Sequence, residues 1–146
     1  MSDRVEALFS GTVAPGVYRT SLRTAAASLV RAAESHGWRA FHLDGRDLVT
    51  KTEFIATGGR AMRFPSYSGN NWDAFEESLS DLSWAPAQGY LLVFDGVRGF
   101  AQAQPDEFAV AVEILRESVR RWHARGTPLV VLLRGAGRAA GGVSWL

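Results

Sequence analysis

Two short runs constrain this chain more than anything else in it. Tyr90-Leu-Leu-Val-Phe94 and Leu129-Val-Val-Leu-Leu133 are continuous apolar stretches. A strand with one wet face alternates apolar and polar residues. Strands with no such alternation have to be covered on both faces, the pattern of a parallel sheet held between helices. The segments between supply those helices. Leu22, Ala26, Leu29, Val30 and Ala33 recur at helical spacing over Ser21 to His36, with Thr20 or Ser21 as N-cap and Gly37 as the stop. Thr50-x-x-Glu53 is a capping box that opens a short helix, ended at Gly58-Gly59. Residues 63–69 read as loop, and Asn70 or Asn71 caps a helix running to about Leu82. Pro105-Asp106 starts a long helix whose stripe is Phe108, Ala111, Val112, Leu115, Val119 and Trp122, stopped by Gly126. Val17 to Arg19 and Trp38 to Leu43 are further strand candidates, and Asp44-Gly45 is a turn signal. The order is strand, helix, strand, helix, helix, strand, helix, strand, which predicts an α/β layer.

Composition closes other routes. With 146 residues, one domain over 1–146 is expected, and 47% hydrophobic with 21% charged residues is ordinary for a folded chain. There are no cysteines, so neither disulfides nor thiolate zinc sites arise. No run is long and apolar enough for a membrane span, and the first residues lack a signal-peptide layout, so a cytoplasmic protein is expected. Residues 1–15 and the Gly- and Ala-rich 135–146 carry no strong pattern. They read as dispensable, with 135–146 a flexible tail.

The net charge of +1 hides an uneven distribution. Between Arg63 and Arg98 there is no Lys or Arg, while Asp73, Glu76, Glu77, Asp81 and Asp95 fall there. Sixteen cations face ten acids elsewhere. On the helix after the loop, Trp72, Phe75, Leu79 and Leu82 form an inward face. Asp73, Glu76, Glu77, Ser80 and Asp81 form the opposite one. Asp73 and Glu77, four apart, are like-charged neighbours that weaken the helix slightly, and nothing on it neutralises them. The helix macrodipole favours Asp73 but hardly reaches Glu77 or Asp81. Aromatic Tyr67 and Trp72 beside these acids compose a surface suited to a cationic partner.

Pro65-x-Tyr67-x-Gly69-x-Asn71-Trp72-Asp73-Ala74-Phe75, followed by Leu79 and Asp81-Leu82, resembles the barstar family of ribonuclease inhibitors. The likeness covers roughly Trp38 to Leu133, with residues 1–37 an N-terminal strand–helix extension. It implies an α/β fold with a barstar-like parallel three-stranded sheet and covering helices. It further implies an inhibitor that occludes the active site of a small bacterial ribonuclease, barnase-type or a related toxin, in a 1:1 complex, with no cofactor and no nucleic acid. By the resemblance, the partner-binding positions are Tyr67, Ser68, Gly69, Asn71, Trp72, Asp73, Glu76, Glu77 and Ser80. Glu77 stands where the family usually has its central Asp.

Other constellations carry less. His36, His42 and His123 have no metal-ligand spacing, no G-x-S-x-G elbow exists, and no catalytic residue is assigned. Gly135-Ala-Gly137-Arg-Ala-Ala140 echoes a dinucleotide fingerprint after a strand, but too few residues follow to build the unit it belongs to. Arg116, Arg120, Arg121 and Arg125 make the last helix basic. The alternative function is an RNA-binding or regulatory module using that face, although Glu113 and Glu117 are spaced to pair with these arginines.

Overall fold

A computed structural model describes residues 3–65 and 71–146. The elements are α1 (Asp3–Phe9), β1 (Gly16–Arg19), α2 (Ala26–Ser35), β2 (Arg39–Asp44), α3 (Lys51–Ala61), α4 (Trp72–Asp81), β3 (Tyr90–Asp95), α5 (Arg98–Ala103), α6 (Pro105–Ala124), β4 (Leu129–Arg134), a 3₁₀ turn (Gly137–Ala140) and β5 (Ser144–Trp145). The strands form one parallel sheet in the order β2-β3-β4-β1-β5.

The apolar runs are buried on both faces for the expected reason. Leu92, Phe94, Val131 and Leu133 face a cluster built with α3, α4, α5 and α6. Leu91, Val93, Val130 and Leu132 face a second cluster, with Val5, Leu8 and Phe9 of α1, Leu29, Ala32 and Ala33 of α2, and Trp38. Phe54 is the hub of the first cluster, its ring within 6 Å of Phe75, Phe94, Phe100 and Trp72.

Three expectations are corrected. The sheet has five strands, not three: β1 adds to the edge of β4, and β5 pairs beyond it through Tyr18–Ser144 and Arg19–Trp145. Residues 135–146 belong to the fold rather than forming a loose tail, because Ala136, Ala140 and Val143 are buried and the Leu146 amide donates to the Arg19 carbonyl. Residues 1–15 are part of the packed structure, because Val5, Leu8 and Phe9 are buried with α2 against the same sheet face.

Helix boundaries shift for local reasons. α2 begins at Ala26 instead of Ser21. The preceding loop is pinned by Arg134, which donates to the carbonyls of Leu22 and Thr24, while the Thr20 hydroxyl accepts from the Leu22 amide. α3 runs through Gly58-Gly59 to Ala61. There Gly58 serves packing: a Cβ on it would lie 3.0 Å from the Phe75 ring. The Thr50–Glu53 capping box forms in full. α5 precedes the Pro105 helix start and holds Phe100 and Ala101 in the core.

Candidate partner-binding site

α4 is seated firmly. The Asn71 Oδ1 accepts from the Ala74 amide at 2.8 Å, closing the N-terminus. Phe75, Ser78 and Leu79 are buried along its inner face. The helix ends with Leu82 left-handed, its φ at +46°, and the Leu82 amide donating to the Ser78 carbonyl. The Trp122 indole of α6 donates to the Leu79 carbonyl at 2.9 Å, tying the two helices together.

The outer face carries Asp73, Glu76, Glu77, Ser80 and Asp81, and the structure divides them. Asp73 and Glu77 are exposed, and neither has an ion-pair partner among the described residues. Glu76 is half-buried and meets the Arg121 guanidinium at 3.2 Å. The Ser80 hydroxyl accepts from Arg121 at 3.3 Å, and its carbonyl accepts from Arg125. Arg125 lies 3.7 Å from the centre of the Trp122 ring. An open cleft of about 350 Å³ results, lined by Asp73, Glu76, Glu77, Ser80, Asp81, Arg121 and Arg125.

The expected site residues therefore fare differently. Asp73 and Glu77 stand free at the surface, whereas Glu76 and Ser80 are tied to α6. Asn71 uses its side-chain oxygen as a cap. Trp72 is half-buried, donates to Glu107 at 2.7 Å and packs its ring against Phe54 and Phe75. Its role is to anchor α4 as much as to present apolar area. Tyr67, Ser68 and Gly69 lie outside the described residues.

Asp81, Arg121 and Arg125 line the cleft without having been assigned to it from sequence. A signal existed for the arginines. Ile114 and Ser118 are buried on α6, and the same +3/+4 row continues through Arg121 to Arg125.

Residues 38–134 match the family model described as Barstar (barnase inhibitor). The chain belongs to the barstar family. The matched segment contains β2 to β4, α4 and its charged face. A search of curated proteins finds no match to the chain. The first 37 residues, which build α1, β1 and α2, lie outside the barstar match.

Chemistry elsewhere in the chain is structural. His36 stacks on Phe9 and meets Glu6 at 3.1 Å. His42 meets Asp95 at 2.9 Å. Asp95 also receives Arg134 at 2.6 and 2.9 Å. Burial alone would raise the Asp95 carboxyl, but the hydrogen bonds and charge of Arg134, followed by those of His42, hold it below the usual carboxylate value. Among the described residues no group of three or more His, Asp or Glu is placed to hold a metal ion, and no helix is long and apolar enough to cross a membrane.

Proposed function

We propose that this barstar-family chain is a stoichiometric inhibitor, acting inside the cell, that inserts the acidic face of α4 and the preceding loop into a ribonuclease active site. The observation that carries the reading is the pair Asp73 and Glu77, exposed and without an ion-pair partner among the described residues, on a helix whose other face is locked into the core. A ribonuclease must line its site with cations to hold the phosphodiester and stabilise its transition state. Carboxylates at i and i+4 imitate successive anionic groups, and each is able to pair bidentately with an arginine. Opposed fields speed encounter at low salt. A rigid helix adds little ordering cost on binding. Tyr67, Ser68 and Gly69 are proposed to continue the surface on the loop side, with Asn71 and Trp72 holding the loop–helix junction. Binding and occlusion require no cofactor and no catalytic group of this chain.

Three of the four arginines that an RNA surface on α6 would use, all but Arg125, favour this reading instead. Arg116 pairs with Glu113 at 2.7 Å, Arg120 with Glu117 at 2.7 Å, and Arg121 with both Glu117 and Glu76. Cations already neutralised within the protein release few counterions from a phosphate backbone.

The test is a titration of the purified chain into a small guanyl-preferring, barnase-type ribonuclease while RNA cleavage is followed. Activity falling to zero at one equivalent is the expected result. Undiminished cleavage at a large molar excess overturns the assignment of that enzyme class as the target.

A further inference from the structure

A second site emerges at the opposite kind of surface, one whose arginines have no carboxylate partner among the described residues. β1 and β4 are parallel neighbours, yet the chain leaves their C-terminal ends toward different sides of the sheet. After β1 it passes to α2, which packs with Leu91 and Val130. After β4 it passes through Ala136 into the 3₁₀ turn, and Ala136 and Ala140 pack with Val131 and Leu133. Diverging connections of this kind open a crevice beyond the carboxyl ends of parallel strands, the general place for ligands in open α/β sheets.

A cleft of about 350 Å³ occupies that crevice, lined among others by Arg19, Leu133, Gly135, Gly137, Arg138 and Trp145. No carboxylate side chain lines it. Arg19, Arg138 and the adjoining Arg98 have no ion-pair partner among the described residues, unlike Arg116, Arg120 and Arg121 of α6. The Arg19 guanidinium lies 4.4 Å from the centre of the Trp145 ring; its Nη2 donates to the Gly141 carbonyl at 3.4 Å, and its Nε is buried with no hydrogen-bond partner. Trp145 is 64% exposed, an unusual state for the largest apolar side chain. Gly135 and Gly137 both hold left-handed backbone, at φ +64° and +72°. A Cβ on Gly137 would lie 3.2 Å from the Arg98 side chain, so glycine keeps that arginine close against the turn. The turn is the Gly135-x-Gly137 stretch that follows a strand without the helix a dinucleotide unit would need.

We propose that this crevice binds a nucleoside monophosphate unit, with the phosphate held by Arg19 and Arg138 and the base stacked on Trp145. Arginine forks match phosphate oxygens, and an indole face accepts any base. Leu133 supplies an apolar floor. A free nucleotide and one residue of a single-stranded RNA share this chemistry. The near-zero net charge gives no hint of it, because the cluster is local. The site uses no residue of α4, so it stands or falls apart from the inhibitor reading.

Adenosine 5′-monophosphate and a six-residue single-stranded oligoadenylate are titrated separately into the full chain by calorimetry, with adenosine as the control. Saturable binding of the monophosphate is expected. Loss of the phosphate, Arg138→Ala and Trp145→Ala are each expected to weaken it by about tenfold, the scale of one charge-assisted or one stacking contact. Arg138 and Trp145 are both exposed, so the variants are expected to melt with the wild type. Equal affinity for the two ligands identifies a free nucleotide as the occupant, and markedly tighter oligomer binding identifies RNA. Absence of saturable binding of either up to about 5 mM, or affinity unchanged in the Arg138→Ala/Trp145→Ala double variant, overturns the proposal.

Discussion

α4 and α6 touch, and both present outward faces dense in charge, but they are built oppositely. On α6 the acids sit one turn from arginines, and the pairs close within the helix at 2.7 Å. On α4 the outer face holds four acids and Ser80 but no cation, and its one ion pair among the described residues, Glu76 with Arg121, comes from the neighbouring helix. The result is a graded surface. Towards α6 the carboxylate is neutralised, and towards solvent Asp73 and Glu77 are left bare. A charge satisfied inside the fold has little left to offer a partner. A like-charged pair kept at a small cost to its own helix points to selection for something outside it. Formal net charge conveys none of this.

The contrast is open to attack by variants of decreasing effect. The largest acts on the seat of α4. Phe75→Ala removes a ring buried against Phe54, Phe64 and Trp72 and is expected to cost about 3–5 kcal/mol of stability by thermal or chemical denaturation. Inhibition is expected to weaken with it, because the acidic face loses its rigid support. If Phe75→Ala leaves stability intact, α4 is not seated as described.

A middle-sized effect belongs to Asp95, whose carboxylate is tied to Arg134, the residue that pins the loop before α2. Asp95→Asn is expected to cost about 2 kcal/mol near pH 7, less than a fully buried pair because a quarter of the Asp95 side chain is exposed. The sign of its pH dependence follows from the lowered Asp95 carboxyl. Its contribution is complete above the unfolded value of about 3.9 and disappears as pH falls through the lower folded value. The gap between wild type and variant in a pH series of melts is therefore expected to close below about pH 4. A gap that stays constant into acid shows that the carboxylate charge is not what holds the loop.

The smallest effect sharpens the comparison from the α6 side. Arg120→Ala removes one exposed i,i+3 pair. It is expected to leave the melting temperature and inhibition where they were, since exposed pairs contribute little. A clear loss of inhibition would mean that α6 presents its cations to the partner after all.

Much of this was legible in the residues. The two unbroken apolar runs dictated a sheet covered on both sides, and the α6 stripe of Phe108 to Trp122 matches its buried face. The capping box at Thr50 and the cap at Asn71 are local chemistry, and both formed where the pattern put them. What escaped was tertiary in origin. α1 is a seven-residue helix held by the sheet face it covers rather than by its own propensity. β5 is two residues long and exists because β1 offers an open edge. The start of α2 depends on Arg134, more than a hundred positions away. For the site, the period of α4 separated its acidic face from its core face. Only the packing of α6 reveals that Arg121 and Arg125 reach across to Glu76 and Ser80, leaving Asp73 and Glu77 as an i,i+4 pair with no cation partner among the described residues.

The most direct measurement is inhibition of a barnase-type ribonuclease by two charge-reversed forms of the chain. Asp73→Lys/Glu77→Lys is expected to weaken inhibition by about a thousandfold or more, since two attractive contacts become repulsive, with only a small loss of thermal stability from the charge reversed in the first turn of α4. Arg116→Glu/Arg120→Glu is expected to inhibit like the wild type. The opposite outcome, inhibition surviving the first reversal and lost with the second, contradicts the assignment of the α4 face as the surface that meets the ribonuclease.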